Sequence, residues 1–174
     1  GCPDCFTQFQ FLPNSFKNQD IGINRREKQP DGTVRLGRNP TGPIDRAVGV
    51  LRIDAAPSEA APGGCPLACV VNFQCHPVSQ TGKVAHISAD FPGKMCEVVE
   101  TLADIPCLYL QGATGNINAS IMEPDYEPAR TLGVRLGCEV VRVWETVSPA
   151  GAGVEVSCWV ARCLTTGWMY SSTT

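Results

Sequence analysis

No stretch of this sequence approaches the roughly 20 consecutive apolar residues that a membrane-spanning helix needs, and no basic-then-apolar signal pattern stands at its start. Lys and Arg number 14 against 17 Asp and Glu, a net charge of −3, and neither sign is gathered into a long run. A phosphate-backbone footprint is missing, so nucleic acid is not an expected partner. Histidine is scarce, with two in the chain. Cys2 and Cys5 form a CxxC, but no second CxxC follows at zinc-ribbon spacing, which argues against a cysteine-bound metal. The one glycine-rich loop, "GATGNIN" (112–118), lacks the Lys-Ser/Thr of a P-loop, so a flavodoxin-like nucleotide binder has no phosphate fingerprint here. There is no internal repeat.

What the chain does have is ten cysteines and 43% hydrophobic residues in 174. That length supports one domain with one core. Most of the cysteines are embedded in apolar runs, where thiols act as small buried hydrophobes, and a reduced state is expected rather than a disulfide framework. Gly1 is not an initiator methionine, and the sequence is expected to be a fragment.

The pattern predicts an α/β fold: a mixed sheet with a parallel βαβ unit and flanking helices, in a single partial domain spanning 1–174. Residues 1–46 read as a loop-rich segment with a turn at Asp31-Gly32. The core is expected over 47–147. "AVGVLRIDA" (47–55) alternates as a strand, and "PSEAAPGGCP" turns the chain into "LACVVNFQC" (67–75), a run that reads as a strand covered on both faces. A helix follows from Asp90, a candidate N-cap, with Met95, Val98, Val99 and Leu102 at helical spacing. "CLYLQGA" (107–113) reads as another buried strand, and strand, helix and strand make the βαβ unit. A second helix over 127–147 places Leu132, Leu136, Val140, Val143 and Trp144 on one stripe. Gly133 and Gly137 weaken it by about 1 kcal/mol each unless close packing on the sheet requires them. Residues 148–174 read as an edge strand (153–164) and a tail.

In open α/β sheets ligands gather beyond the carboxyl ends of the strands. The two parallel strands end in Cys75-His76-Pro77 and in the 111–118 loop, so His76 stands at the mouth of a candidate site. Asp90, at the head of the intervening helix, is a candidate to orient the second nitrogen of His76. Gly112 and the loop amides can hold a carbonyl or an oxyanion. An arginine near the site, Arg25 or Arg26, can bind a carboxylate or phosphate bidentately. His86 sits in an unpatterned loop and reads as solvent-facing.

"NRRE" (24–27), "DGTVRLGRNPTGPIDRAVGVLRID" (31–54), "VNFQCHPVS" (71–79), "ISADFPG" (87–93) and "LQGATGNIN" (110–118), in this order and at these intervals, resemble the N-terminal domain of the neutral/alkaline (non-lysosomal) ceramidase family. The similarity runs from about residue 20 to about residue 145. It implies a zinc-dependent amidase that hydrolyses the N-acyl bond of ceramide or a related lipid amide. His76 falls on one of that family's zinc-binding histidines. An upstream histidine and a downstream glutamate and tyrosine, the family's other ligands, have no counterpart here, so zinc is implied for the complete parent and not for this fragment alone.

The family's loop Gly-Asp-Val-Ser-Pro-Asn is here Gly115-Asn116-Ile117-Asn118-Ala119-Ser120, with Asn118 in the place of a catalytic serine. An amide cannot be the nucleophile. The resemblance then leaves Asn116 and Asn118 to hold the acyl oxygen or a neighbouring hydroxyl, and Arg25, Arg26 and Gly112 to meet the substrate. The implied partner is a small lipid amide, with membrane contact through the substrate only. The family is often secreted or periplasmic. The rival reading is a catalytically inactive α/β binding or scaffold domain in which His76 is structural.

Overall fold

A computed structural model of the chain describes residues 5–12 (as backbone), 21–55, 57–62, 64–82 and 87–147. His86 and the strand expected at 153–164 lie outside the described residues. The remainder forms two sheets and two helices. The first sheet has the order β1 (Cys5–Leu12), β4 (Val48–Ala55), β5 (Cys65–Phe73), β6 (Cys107–Gln111). The second has the order β3 (Val34–Asn39), β2 (Gly22–Lys28), β7 (Ile117–Ala119) and is antiparallel throughout. Helices α1 (Asp90–Ala103) and α2 (Glu127–Thr146) complete the fold.

The α/β reading holds. β4 and β5 form the expected antiparallel hairpin, and β5 and β6 run parallel on either side of α1, with Cys69 opposite Cys107 and Phe73 opposite Gln111. Val48, Val50, Cys69, Val71 and Phe73 alternate onto one face of the sheet and are buried there. Both helices pack on that face, α1 beside β6 and α2 beside β4, and against one another. Phe91, Met95, Leu132 and Leu136 are fully buried between these layers, each contributing about 1.5–3 kcal/mol by leaving water. The Phe91 ring meets Tyr109 edge-on at 6.2 Å, and the Arg52 guanidinium lies 4.6 Å over Trp144.

Four expectations need correction. Residues 1–46 are not a long loop: they carry β1, β2 and β3. The Asp31-Gly32 turn is there, with Gly32 at φ 83° and Asp31 Oδ1 accepting from the Thr33 amide and hydroxyl, but the flanking "NRREK" has no apolar residue and "VRLGRN" alternates only at Val34 and Leu36. Charge is a common guard on a sheet edge, and it hides strands from a reading based on hydrophobic period. β5 and β6 are covered on one face only. Leu108 and Leu110 point away from the helices and are 56% and 55% exposed. On α1, Leu102 lies on the Met95–Val99 stripe, in the last turn of the helix, yet is 60% exposed.

Gly133 and Gly137 are indeed required by packing, against α1 rather than the sheet. A Cβ on Gly133 would lie 2.5 Å from Lys94 Cβ and 2.7 Å from Phe91 O, and one on Gly137 would lie 2.7 Å from Val98 Cβ. The two glycines bring α2 onto α1, and this contact orders the first turn of α1 above the ends of β5 and β6.

Candidate functional site

β5 runs out at Phe73, and the chain continues through Gln74 and Cys75 to His76 beside the second sheet. The His76 amide donates to Ile117 O at 3.2 Å, and His76 and Asn118 form a parallel bridge. The loop after β6 therefore returns past His76 as β7. Gly112 donates its N–H to Phe73 O at 3.0 Å, which closes the start of that loop onto the end of β5. A polar shelf results at the carboxyl end of the parallel pair, the position expected from the sheet topology.

His76 is half-buried. Thr114 Oγ1, itself buried, lies 3.4 Å from His76 Nδ1 and accepts from Gln111 Nε2 at 3.0 Å. In the tautomer with the proton on Nδ1, the Thr114 oxygen receives it and Nε2 carries the lone pair. Desolvation by burial, followed by the positive charge of Arg25, holds the imidazole below the usual histidine value. The neutral ring at neutral pH is the form that binds a metal.

Arg25 and Arg26 reach the same loop at the point where the β2–β3 register shifts, Asn24 pairing with Asn39 and Arg26 with Leu36, so that the extra residue lies in β3. Arg25 Nε donates to Gly115 O at 3.2 Å and its Nη1 to Asn118 Oδ1 at 3.3 Å; Arg26 Nη2 donates to Gly115 O at 2.9 Å. The Asn116 carbonyl accepts the Arg25 amide at 2.8 Å, while Asn116 Nδ2 donates to Pro43 O at 2.8 Å. Asn116 thus ties the loop to the 40–46 segment. Gly112 backs onto Gln74: a Cβ there would come 2.8 Å from Gln74 Cγ. Only a glycine lets the Gln74 side chain lie in that place.

Asp90 does not serve as the N-cap. The cap position is Ala89, without a side-chain cap bond, and Asp90 follows it at φ 53°. Its buried carboxylate instead pins the loop that leaves His76. Oδ1 accepts from Ser79 Oγ at 2.6 Å and from the Phe91 amide at 2.6 Å, and Oδ2 accepts from the Gln80 amide at 3.1 Å. A carboxylate in the first helical turn also complements the helix dipole. The group facing His76 Nδ1 is Thr114, so the expected Asp90–His76 contact is replaced by an indirect link through Ser79 and Gln80.

Sequence reasoning missed Thr114 and Ser79. Thr114 lies within "QGATGN", where the glycines drew attention to backbone geometry. Ser79 follows His76-Pro77-Val78, and a hydroxyl three residues past a histidine was the available signal.

Among the described residues, no group of three or more His, Cys, Asp or Glu side chains converges to hold a metal. Two buried side-chain atoms among them, Gln74 Oε1 and Gln80 Nε2, have no hydrogen-bond partner, and they flank His76 in the chain. A neutral histidine whose Nδ1 faces the Thr114 hydroxyl can supply one ligand of a metal centre and not a whole one.

No protein-family model matches the chain, and no curated protein does. Solved structures do. A ceramidase complexed with C2 matches with a TM-score of 0.54 and 19% identity, covering 80% of this chain and 22% of that one. A neutral ceramidase from Pseudomonas aeruginosa matches with a TM-score of 0.51 and 16% identity, again covering 80% of this chain and 22% of the other. At these identities the likeness is one of fold: the chain has the fold of part of a neutral ceramidase and spans about a fifth of its length.

Proposed function

We propose that this chain is part of a metal-dependent amide hydrolase of the ceramidase type, cleaving the N-acyl bond of a ceramide or related lipid amide, with zinc as the metal and His76 as one of its ligands. The observation that carries the reading is the gathering of His76, Arg25, Arg26 and Asn118 at the carboxyl end of the β5–β6 pair, in a chain with the fold of part of a neutral ceramidase.

His76 would hold the metal through Nε2, with Thr114 keeping the ring turned. Further ligands would come from other parts of a longer polypeptide. Zinc, when bound, supplies a Lewis acid for the amide carbonyl and lowers the pKa of a water to about 7. The chain's own residues bind and position. Asn118, its Oδ1 held by Arg25, presents its amide N–H groups to the acyl oxygen or a neighbouring hydroxyl; a carboxamide is no nucleophile, so water is the attacking group. Arg25 and Arg26 take the polar head of the substrate. Asn116 and Gly112 keep the loop in place, and Asp90 keeps the His76 exit loop on α1. Asp90 and Asn116 are thus positioning residues.

The test is His76→Ala in the longer polypeptide that carries this segment. Zinc content and N-acyl hydrolysis should fall together, with the circular dichroism spectrum kept because His76 ends a strand instead of filling the core. Retained zinc with full hydrolysis would remove His76 from the site and the reading with it.

A further inference from the structure

The β2–β3 hairpin carries a surface that the candidate site shares only through Arg26. Across its antiparallel ladder Arg26 pairs with Leu36 and Lys28 with Val34, so these four side chains share one face. Val34 and Leu36 are 53% and 68% exposed. Arg38 lies beyond the register shift in β3, and its guanidinium reaches Ser120 O at 2.9 Å. The strand acid of the hairpin, Glu27, pairs with Arg35 and lies against Gly37 on the opposite side. The face therefore presents two adjoining aliphatics paired with two cations, Arg26 and Lys28, with no carboxylate from either strand. It does so in a chain whose net charge is −3.

The same face adjoins the candidate site. Arg26, the partner of Leu36, donates to Gly115 O in the loop that carries Thr114 and Asn118. A guanidinium has five N–H donors, so one spent on a carbonyl leaves capacity for a phosphate oxygen.

We propose that this hairpin face docks on the surface of an anionic lipid bilayer, with Val34 and Leu36 entering the boundary between head groups and acyl chains and Arg26 and Lys28 meeting lipid phosphates. Two aliphatics alone bury too little to hold a protein, and cations alone act only within a Debye length of the surface; the combination on one face is what interfacial anchoring requires. A protein partner fits less well, because the cores of protein interfaces are depleted in lysine. The docking sets the mouth of the site at the surface where a lipid amide resides, and in that respect it rests on the proposed function.

The test is co-sedimentation of the 174-residue chain with vesicles of phosphatidylcholine alone and of phosphatidylcholine with phosphatidylglycerol. Binding is expected to the anionic vesicles only and to weaken as salt is raised. Lys28→Gln should lower the partition coefficient about fivefold, and Val34→Ser with Leu36→Ser should abolish it. Arg142→Gln, on α2, should leave it unchanged. Leu36→Trp, at an exposed position that tolerates bulk, should show a blue shift of its emission relative to the parent chain when anionic vesicles are added. Absence of binding, equal binding to neutral vesicles, or binding indifferent to the hairpin changes would overturn the proposal. None of these readings involves hydrolysis, so a failed amidase assay leaves the docking result standing, and the reverse is equally true.

Discussion

The backbone of His76 is hydrogen-bonded to that of Ile117, amide to carbonyl at 3.2 Å, and this clasp joins the exit of β5 in one sheet to β7 in the other. It brings the residue at the mouth of the parallel pair within reach of the loop that bears Thr114 and Asn118.

Gly22 sits beneath the clasp, and Gly22→Ala is expected to strain it. The added Cβ would lie 2.5 Å from Ile117 Cγ2 and 3.6 Å from Cys75 Sγ. Overpacking of this kind costs about 1–3 kcal/mol. A lowered melting temperature, with weakened amide protection at His76 in hydrogen exchange, is the expected result; an unchanged melt would mean that β7 shifts without cost.

Removing the Asp90 carboxylate should destabilise the fold through the hydroxyl and amides it satisfies. Asp90→Ala strips the acceptor from Ser79 Oγ and from the Gln80 and Phe91 amides, for a loss of about 2–3 kcal/mol. Denaturant unfolding should show a lower midpoint at constant slope. An effect below about 0.5 kcal/mol, the usual size for an unengaged surface change, would show that water replaces the carboxylate.

Gly137→Ala sets two known effects against each other. Helix propensity alone favours alanine by about 1 kcal/mol, but the new Cβ would meet Val98 Cβ at 2.7 Å and Met95 O at 3.1 Å. Backbone atoms cannot give way, so packing wins and the variant melts lower than the parent chain. A higher melting temperature would refute the close α1–α2 contact.

The thiols should divide by environment under alkylation of the native chain. Cys65 and Cys138 are exposed and react first. Cys107 is pushed up to about 12 by its hydrogen bonding with Cys69 and by burial, so its thiolate fraction is negligible at neutral pH and rises only as pH approaches that value. Peptide mapping after brief alkylation near neutrality should find Cys65 and Cys138 labelled and Cys107 intact. Equal labelling at all three would contradict the burial of β6 against α1.

Most of the course of the chain from β4 to α2 was legible because β4, β5, α1, β6 and α2 each carry a strong local signal; β7, three residues at the end of what reads as a loop, was not. β5 is an apolar run closed by His76-Pro77, α1 and α2 repeat their apolar residues at helical spacing, and the order strand–helix–strand leaves a parallel pair as the economical solution. The placement of His76 and the 112–118 loop at one end followed from that order, since parallel neighbours must finish on the same side.

The hairpin of β2 and β3 was not legible. Its strands are built from arginines, glutamate and asparagine, and their pairing is held by backbone hydrogen bonds that no side-chain pattern reports. The role of Asp90 was misjudged for a related reason. A carboxylate before a helix is a cap by local rules, whereas this one is claimed by Ser79 and Gln80 from a loop ten residues upstream.

By itself, then, the sequence determined the βαβ unit, the buried stripes of its helices and the end of the sheet where polar groups collect, all of which depend on periodicity and chain order. Only the tertiary structure decided that Thr114 rather than Asp90 faces His76, that α2 needs its glycines for α1, and that Val34 and Leu36 stand in solvent among cations. Each of these is a contact, or the lack of one, between segments far apart in the chain, and it is set by how two sheets meet and by which atoms then compete for the same hydrogen bond or the same space.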